Sequence, residues 1–165
     1  MKIGDIKFKA IRLDNGEWVE GSFVVMNIPA LNKTTIGIVA EGSATLFEVD
    51  PSTVCQYTGL KDKNGTPIYE GDMVTHKDNN AERRGTINWD SKTAAFCFGC
   101  DFLCNFPSEN MVVVGNKFDK EKIDYYIKEY IRKSEELGSP ISHANLRKYP
   151  YNLPDGIWYI DNCPD

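Results

Sequence analysis

From Ile6 to Leu13 the chain runs Ile-Lys-Phe-Lys-Ala-Ile-Arg-Leu, alternating apolar and polar residues with a period of two, which predicts a half-buried strand. Asp14-Asn15-Gly16 predicts a hairpin turn, because Asn and Gly tolerate the positive φ of tight turns. Trp18 to Val25 returns as a second strand, Pro29 to Lys33 reads as a loop, and Thr35 to Val39 and Thr45 to Val49 follow as short strands around Glu41-Gly42-Ser43. Asp50-Pro51-Ser52 opens a turn or a short helical turn. A second set of strands begins at Met73 to His76. A polar loop over Lys77 to Arg83 leads to strands at Gly85 to Trp89 and Thr93 to Phe98, joined by Asp90-Ser91-Lys92. Met111 to Asn116 closes the set as a buried strand. Short strands at this spacing predict a small barrel or sandwich in place of a parallel α/β sheet.

Periodicity changes after Phe118. Ile123, Tyr126, Ile127, Tyr130 and Ile131 recur at helical spacing, with Leu137 continuing the stripe and charges in between. Asp119 suits an N-cap, and Gly138 followed by Pro140 suits a stop. The expected fold is therefore mainly β, α+β when the tail is counted: residues 1–57 an N-terminal strand region, 58–118 a barrel region, and 119–165 a helical C-terminal extension. The Ile/Tyr stripe marks that extension as a self-association surface, or as a face that docks on the strands.

Val54 to Val74 reads as turn chemistry. Gly59 releases the chain into Leu60, expected in the core, and Asn64-Gly65 is the strongest hairpin signal, both residues being able to take left-handed φ. Glu70-Gly71-Asp72 turns again into Met73-Val74.

The 165 residues suit one compact domain, or a small domain with an appendage. A formal net charge of -5 disfavours sequence-blind nucleic-acid binding, which needs a phosphate-neutralising surface. No apolar run reaches membrane-spanning length, and five cysteines without secretory context read as reduced thiols, so a cytoplasmic protein is expected.

Candidate chemistry is sparse. Cys97, Cys100 and Cys104 have spacings that can converge on zinc, with Cys55, His76 or Cys163 as a fourth ligand. The second C-x-x-C that paired structural sites use is missing, and Phe96, Phe98 and Phe102 suit a strand with small buried thiols, so no metal or other cofactor is assigned. Asp62-Lys63-Asn64-Gly65 resembles the middle of an EF-hand loop, but Leu60 and Gly71 stand where two principal ligands belong. His76 and His143 sit in different regions and are expected to be exposed or partly packed. With no nucleophile–base pair and no phosphate-binding glycine loop, no catalytic residue is assigned and a non-enzyme is expected. Arg83 and Arg84 beside a polar loop, with Trp89 on a neighbouring strand, form the best small basic spot, one that could hold single-stranded nucleic acid.

The opening Ile6-Lys7-Phe8-Lys9-Ala10, the long segment Val54 to Val74, Gly85-Thr86-Ile87 and Val113-Val114-Gly115-Asn116 resemble, in order, the pattern of the YopX-like family of phage and prophage proteins. Cys55 departs from that pattern, in which a small residue such as Gly is usual. The resemblance covers roughly residues 1 to 118. It implies an SH3-barrel-like core and a phage or prophage origin, and brings no catalytic residues. The tail, through Glu136 to Ser142, Leu146, Leu153-Pro154 and Trp158, is similar to short helical repeats that accompany homing endonucleases, without their Phe-Gly-x-Trp close. Acidic residues outnumber basic ones there, which opposes DNA binding. The expectation is an accessory protein acting through protein contacts or self-association: a homo-oligomer, or a partner of a phage or host protein. A DNA- or RNA-binding module is the alternative.

Overall fold

The computed structural model describes residues 3–29, 32–77 and 82–119. Ile123, Tyr126, Ile127, Tyr130, Ile131, His143 and the rest of the expected helical extension lie outside the described residues. The chain divides into two compact units, the first made of residues 1–60 with Pro67–Glu70, the second of Lys61–Thr66 with the chain from Gly71 onward.

The first unit carries an antiparallel sheet in the order β4-β3-β2-β1-β5-β6. Its strands are β1 (Phe8–Ile11), β2 (Trp18–Ile28), β3 (Lys33–Ala40), β4 (Leu46–Glu48), β5 (Cys55–Lys61) and β6 (Pro67–Tyr69). Pairing of Ala10 with Val19 and of Phe23 with Ile38 puts alternate residues of three strands on one face. That face holds the core of Ala10, Val19, Ile38 and Val49, with Phe8, Ile36, Ala40, Phe47 and Val54 packed against it. An isolated bridge from Arg12 to Val49 curls the sheet on itself, and the Asp50 amide donates to the Ile11 carbonyl at 2.8 Å. One bridge does not make a ladder. The sheet is curled and open; of the barrel or sandwich expected, two antiparallel sheets are found and neither closes into a barrel.

A close approach and a tied turn accompany this curl. A Cβ on Gly21 would lie 2.0 Å from the Val39 carbonyl oxygen, so only glycine fits where β2 crosses β3. The 3-10 turn Pro51–Thr53 turns the chain from β4 into β5, and the Asp50 carboxylate accepts from the Ser52 amide at its start. The Thr53 hydroxyl then accepts from the Ile11 amide at 2.9 Å, tying that turn to β1.

The second unit carries an antiparallel sheet in the order β10-β9-β8-β7-β11. Its strands are β7 (Asp72–Lys77), β8 (Glu82–Asp90), β9 (Ala95–Phe98), β10 (Asp101–Phe102) and β11 (Met111–Asn116). Met73, Val74, Ile87, Phe98, Leu103, Phe106 and Met111 are buried in it. Gly85 leaves room for the Phe98 ring, which a Cβ there would meet at 2.9 Å.

Several boundaries shift from the periodicity. β2 outlasts the expected strand by three residues, and β8 begins at Glu82, which takes Arg83 and Arg84 out of a loop and into a ladder with His76 and Thr75. Leu60 is half-buried, not a core residue. In the β5–β6 connection Gly65 has φ 82°, while Asn64 keeps a negative φ. The Gly65 amide donates to the Asp62 carbonyl and the Asp62 amide to the Thr66 carbonyl, both at 2.9 Å. This is a type I turn closed by a left-handed glycine, not the doubly left-handed Asn-Gly turn expected.

Replacing Gly65 by Ala should cost about 1 kcal/mol, since the site is sterically open and only the left-handed φ resists. Gly21→Ala should cost several times more, because backbone must move. Ala94, at φ 51°, should yield a gain of up to about 1 kcal/mol on replacement by Gly. Urea unfolding of the three variants checks the order.

Candidate functional site

A buried carboxylate of the second unit is Asp62, 5% exposed. Its Oδ1 accepts from the amides of Asn64 at 2.8 Å and Thr66 at 2.9 Å, and its Oδ2 accepts from the Val113 amide at 3.0 Å. Burial pushes this carboxyl up, and the Val113, Thr66 and Asn64 donors outweigh it, so its pKa lies below the ordinary aspartate value. The Lys63 amide also donates to the Met111 carbonyl at 3.1 Å, so the whole turn is fastened to β11. The resemblance to a calcium loop ends here, because the carboxylate is turned inward onto backbone donors.

A second buried polar pair lies near the other end of β11. Asn116 Nδ2 donates to Asp72 Oδ1 at 2.9 Å, and both residues are at most 2% exposed. Asn116 Oδ1 accepts from the Phe118 amide at 3.0 Å, and Asp119 Oδ2 from the Asn116 amide at 2.8 Å. Gly71, with φ 75°, turns the chain into this pair. Gly59, also left-handed at φ 86°, sits within β5.

His76 is 4% exposed, buried more completely than the exposed or partly packed side chain expected. It packs edge-on against Phe106, with ring centroids 5.2 Å apart, and lies 6.4 Å from Phe98. Alternation along Met73-Val74-Thr75-His76 did not show this, because β7 is buried on both faces.

Arg83, Arg84 and Trp89 share β8 and do not converge. Arg83 and Trp89 are six residues apart, about 20 Å of extended chain, and Arg84 faces the other side. The Arg83 guanidinium lies 6.0 Å from the Phe106 ring centroid, and Arg84 is 3.6 Å from Glu82. Trp89 is 45% exposed and packs edge-on against Phe96 at 5.1 Å. Of the cysteines, Cys97 is buried in β9 and registers with Asn88 and Phe102, Cys100 is half-buried, and Cys104 is exposed. Among the described residues no group of three His, Cys, Asp or Glu is placed to hold a metal ion.

The first unit holds a cluster that the periodicity did not reveal. On the sheet face opposite the core, Lys7 Nζ lies 4.9 Å from the Tyr57 ring and 5.8 Å from that of Tyr69. Lys9 Nζ lies 5.0 Å from the Trp18 ring and 4.8 Å from Tyr69. Glu20 pairs with Lys7. Burial raises the Glu20 carboxyl, while hydrogen bonds from Lys7 and Tyr69 and the charges of Lys7 and Lys9 bring it below its ordinary value. Burial also pushes the Tyr57 hydroxyl up. The legible signal was that Lys7 and Lys9 are two apart and so share a face. What they meet depends on β5 and β6, which are distant in sequence.

Large apolar side chains remain at the surface: Val25 is 58% exposed, Met26 41% and Phe102 43%. No helix among the described residues is long and apolar enough to cross a membrane.

The family model described as YopX protein matches residues 7–123, more than half of the 165-residue chain, and the chain belongs to that family. No curated protein matches it.

Asp62→Asn should lower stability at neutral pH by about 1–3 kcal/mol, since a weaker acceptor faces three amide donors. A depressed folded pKa contributes stability above the unfolded value of about 3.9 and loses it as pH falls through the folded value. The wild type should therefore lose its advantage over the variant below about pH 4. Thermal melts across that range measure the convergence.

Proposed function

We propose that this chain is a phage- or prophage-encoded accessory protein of the cytoplasm, non-enzymatic, acting through protein contacts that include self-association. The observation that carries the reading is the set of large apolar side chains left at the surface of strands, Val25 and Met26 on β2, Trp89 on β8 and Phe102 on β10. Such positions in a folded sheet suit contact with another protein surface. The buried carboxylates support the same reading: Asp62 serves backbone donors and Asp72 serves Asn116, so both act in the fold. The proposal includes the finer architecture expected from sequence, an SH3-like relation for the sheets and a helical extension over residues 119–165 whose Ile/Tyr stripe adds a second contact surface.

Nucleic-acid binding is the competing reading, resting on Arg83, Arg84 and Trp89. Their separation along β8 removes the compact stacking-and-phosphate site first expected, and the net charge of -5 opposes a diffuse one. Fluorescence anisotropy with labelled single- and double-stranded oligonucleotides decides between the two. The expected result is no binding at low salt. Binding that weakens steeply with added salt, and is lost in Arg83→Ala, would replace the present proposal.

A further inference from the structure

The β2–β3 hairpin outlasts its neighbours. β1 pairs with β2 only from Trp18 to Gly21, and β4 pairs with β3 only from Gly37 to Val39. The β2–β3 ladder continues for four more pairs, from Val25 opposite Ile36 to Ile28 opposite Lys33. Beyond the hydrogen bond from the Val49 amide to the Ile36 carbonyl, residues 25–28 and 33–35 form a two-stranded ribbon as far as the described residues show.

Each face of this ribbon carries an exposed large apolar side chain. Val25 lies opposite Ile36, on the face that continues outward from Ile38 and the core, yet it is 58% exposed. Met26 projects from the other face and is 41% exposed. Strand edges in water are ordinarily guarded by charge, above all by lysine. Here residues 21–32 carry no charge, the longest such run in the chain, and Lys33 is the single charge between Gly21 and Ala40. The chain as a whole is 26% charged.

From this geometry we infer that residues 22–28 of β2 form a self-recognition edge, pairing antiparallel with the same residues of a second copy about a two-fold axis. The charge pattern selects the occupant. Two copies that each carry a net charge of -5 repel, and the segment where like charges do not meet is this ribbon. A strongly acidic or basic partner would call for complementary charge along the β2 edge of the ribbon, and residues 21–32 have none to give. An antiparallel pair about a two-fold axis needs only that the segment complement itself.

The inference rests on the protein-contact reading above and narrows it to one surface. Sedimentation velocity of the full chain over a wide concentration range is the test, with a Val25→Lys/Met26→Lys variant and a Leu13→Lys control, Leu13 being an exposed apolar residue outside the ribbon. The expected result is concentration-dependent dimerisation, weakened at least about tenfold in the ribbon variant by the cost of desolvating lysine, and unchanged in the control. Hydrogen exchange on the unaltered protein is the second measurement. Amides of residues 22–28 should gain protection as concentration rises, whether or not the variant folds. A dimer that persists in a folded ribbon variant, or shows no added protection at 22–28, overturns the inference and leaves association by another surface standing. A wild-type chain that stays monomeric throughout overturns it together with the self-association part of the proposed function.

Discussion

One buried carboxylate governs the second unit. Asp62 collects three backbone amides, two from its own turn and one from β11, in a place where water does not compete for it. Removing a charged oxygen pair from water is costly, and charge-assisted bonds to amides that would themselves be orphaned offset that cost. The consequence is geometric. Accepting from residues two and four positions ahead wraps the chain tightly around the side chain, and Gly65 is the residue that can take the left-handed step closing the wrap. The third amide fixes where β11 lies against the turn, and the ladder of β11 with β7 follows from there.

The first unit depends on alternation carried through with little interruption. Odd-numbered residues of β2 and even-numbered residues of β1 meet Ile36, Ile38 and Ala40 in the core, while the opposite face gathers two lysines, Glu20 and three aromatic rings. A lysine stem laid along aromatic rings keeps its ammonium against the ring faces, so a face with charged residues can still be densely packed. The same alternation explains why the outer half of the β2–β3 ribbon stands out: its pattern keeps the apolar residues of a core strand past the point where the core ends.

Much of this was legible along the chain. Ile6 to Leu13, Trp18 to Val25 and Met111 to Asn116 all declare strands through local pattern, and the glycines at 16, 65 and 71 mark turns where the left-handed φ is found. The hidden part is wherever a polar residue is buried by something distant. Asp62 reads as one more turn aspartate until β11 is placed beside it, fifty-one residues away. His76 reads as a surface histidine until Phe98 and Phe106 close over it. Arg83 and Arg84 look like a loop because two arginines in a polar stretch give no period, yet a ladder to His76 and Thr75 makes them strand. Strand number and spacing left barrel and sandwich both open for a related reason: they are local, whereas closing a sheet requires a second full ladder between its ends, which neither sheet has.

The path of the chain between the two units has its own consequence. Residues 61–66 belong to the second unit and residues 67–70 to the first, so the backbone changes unit at three places between Leu60 and Gly71. Neither unit is a continuous stretch of sequence, and no single cut yields either one whole. A gene fragment ending at β5 would lack β6, and one beginning at β7 would lack the turn that carries Asp62. Such a protein resists being assembled or dismantled by recombination of modules. The segment from Val54 to Val74 is a stitch that contributes residues to both units, so any change of its length or sequence acts on both at once.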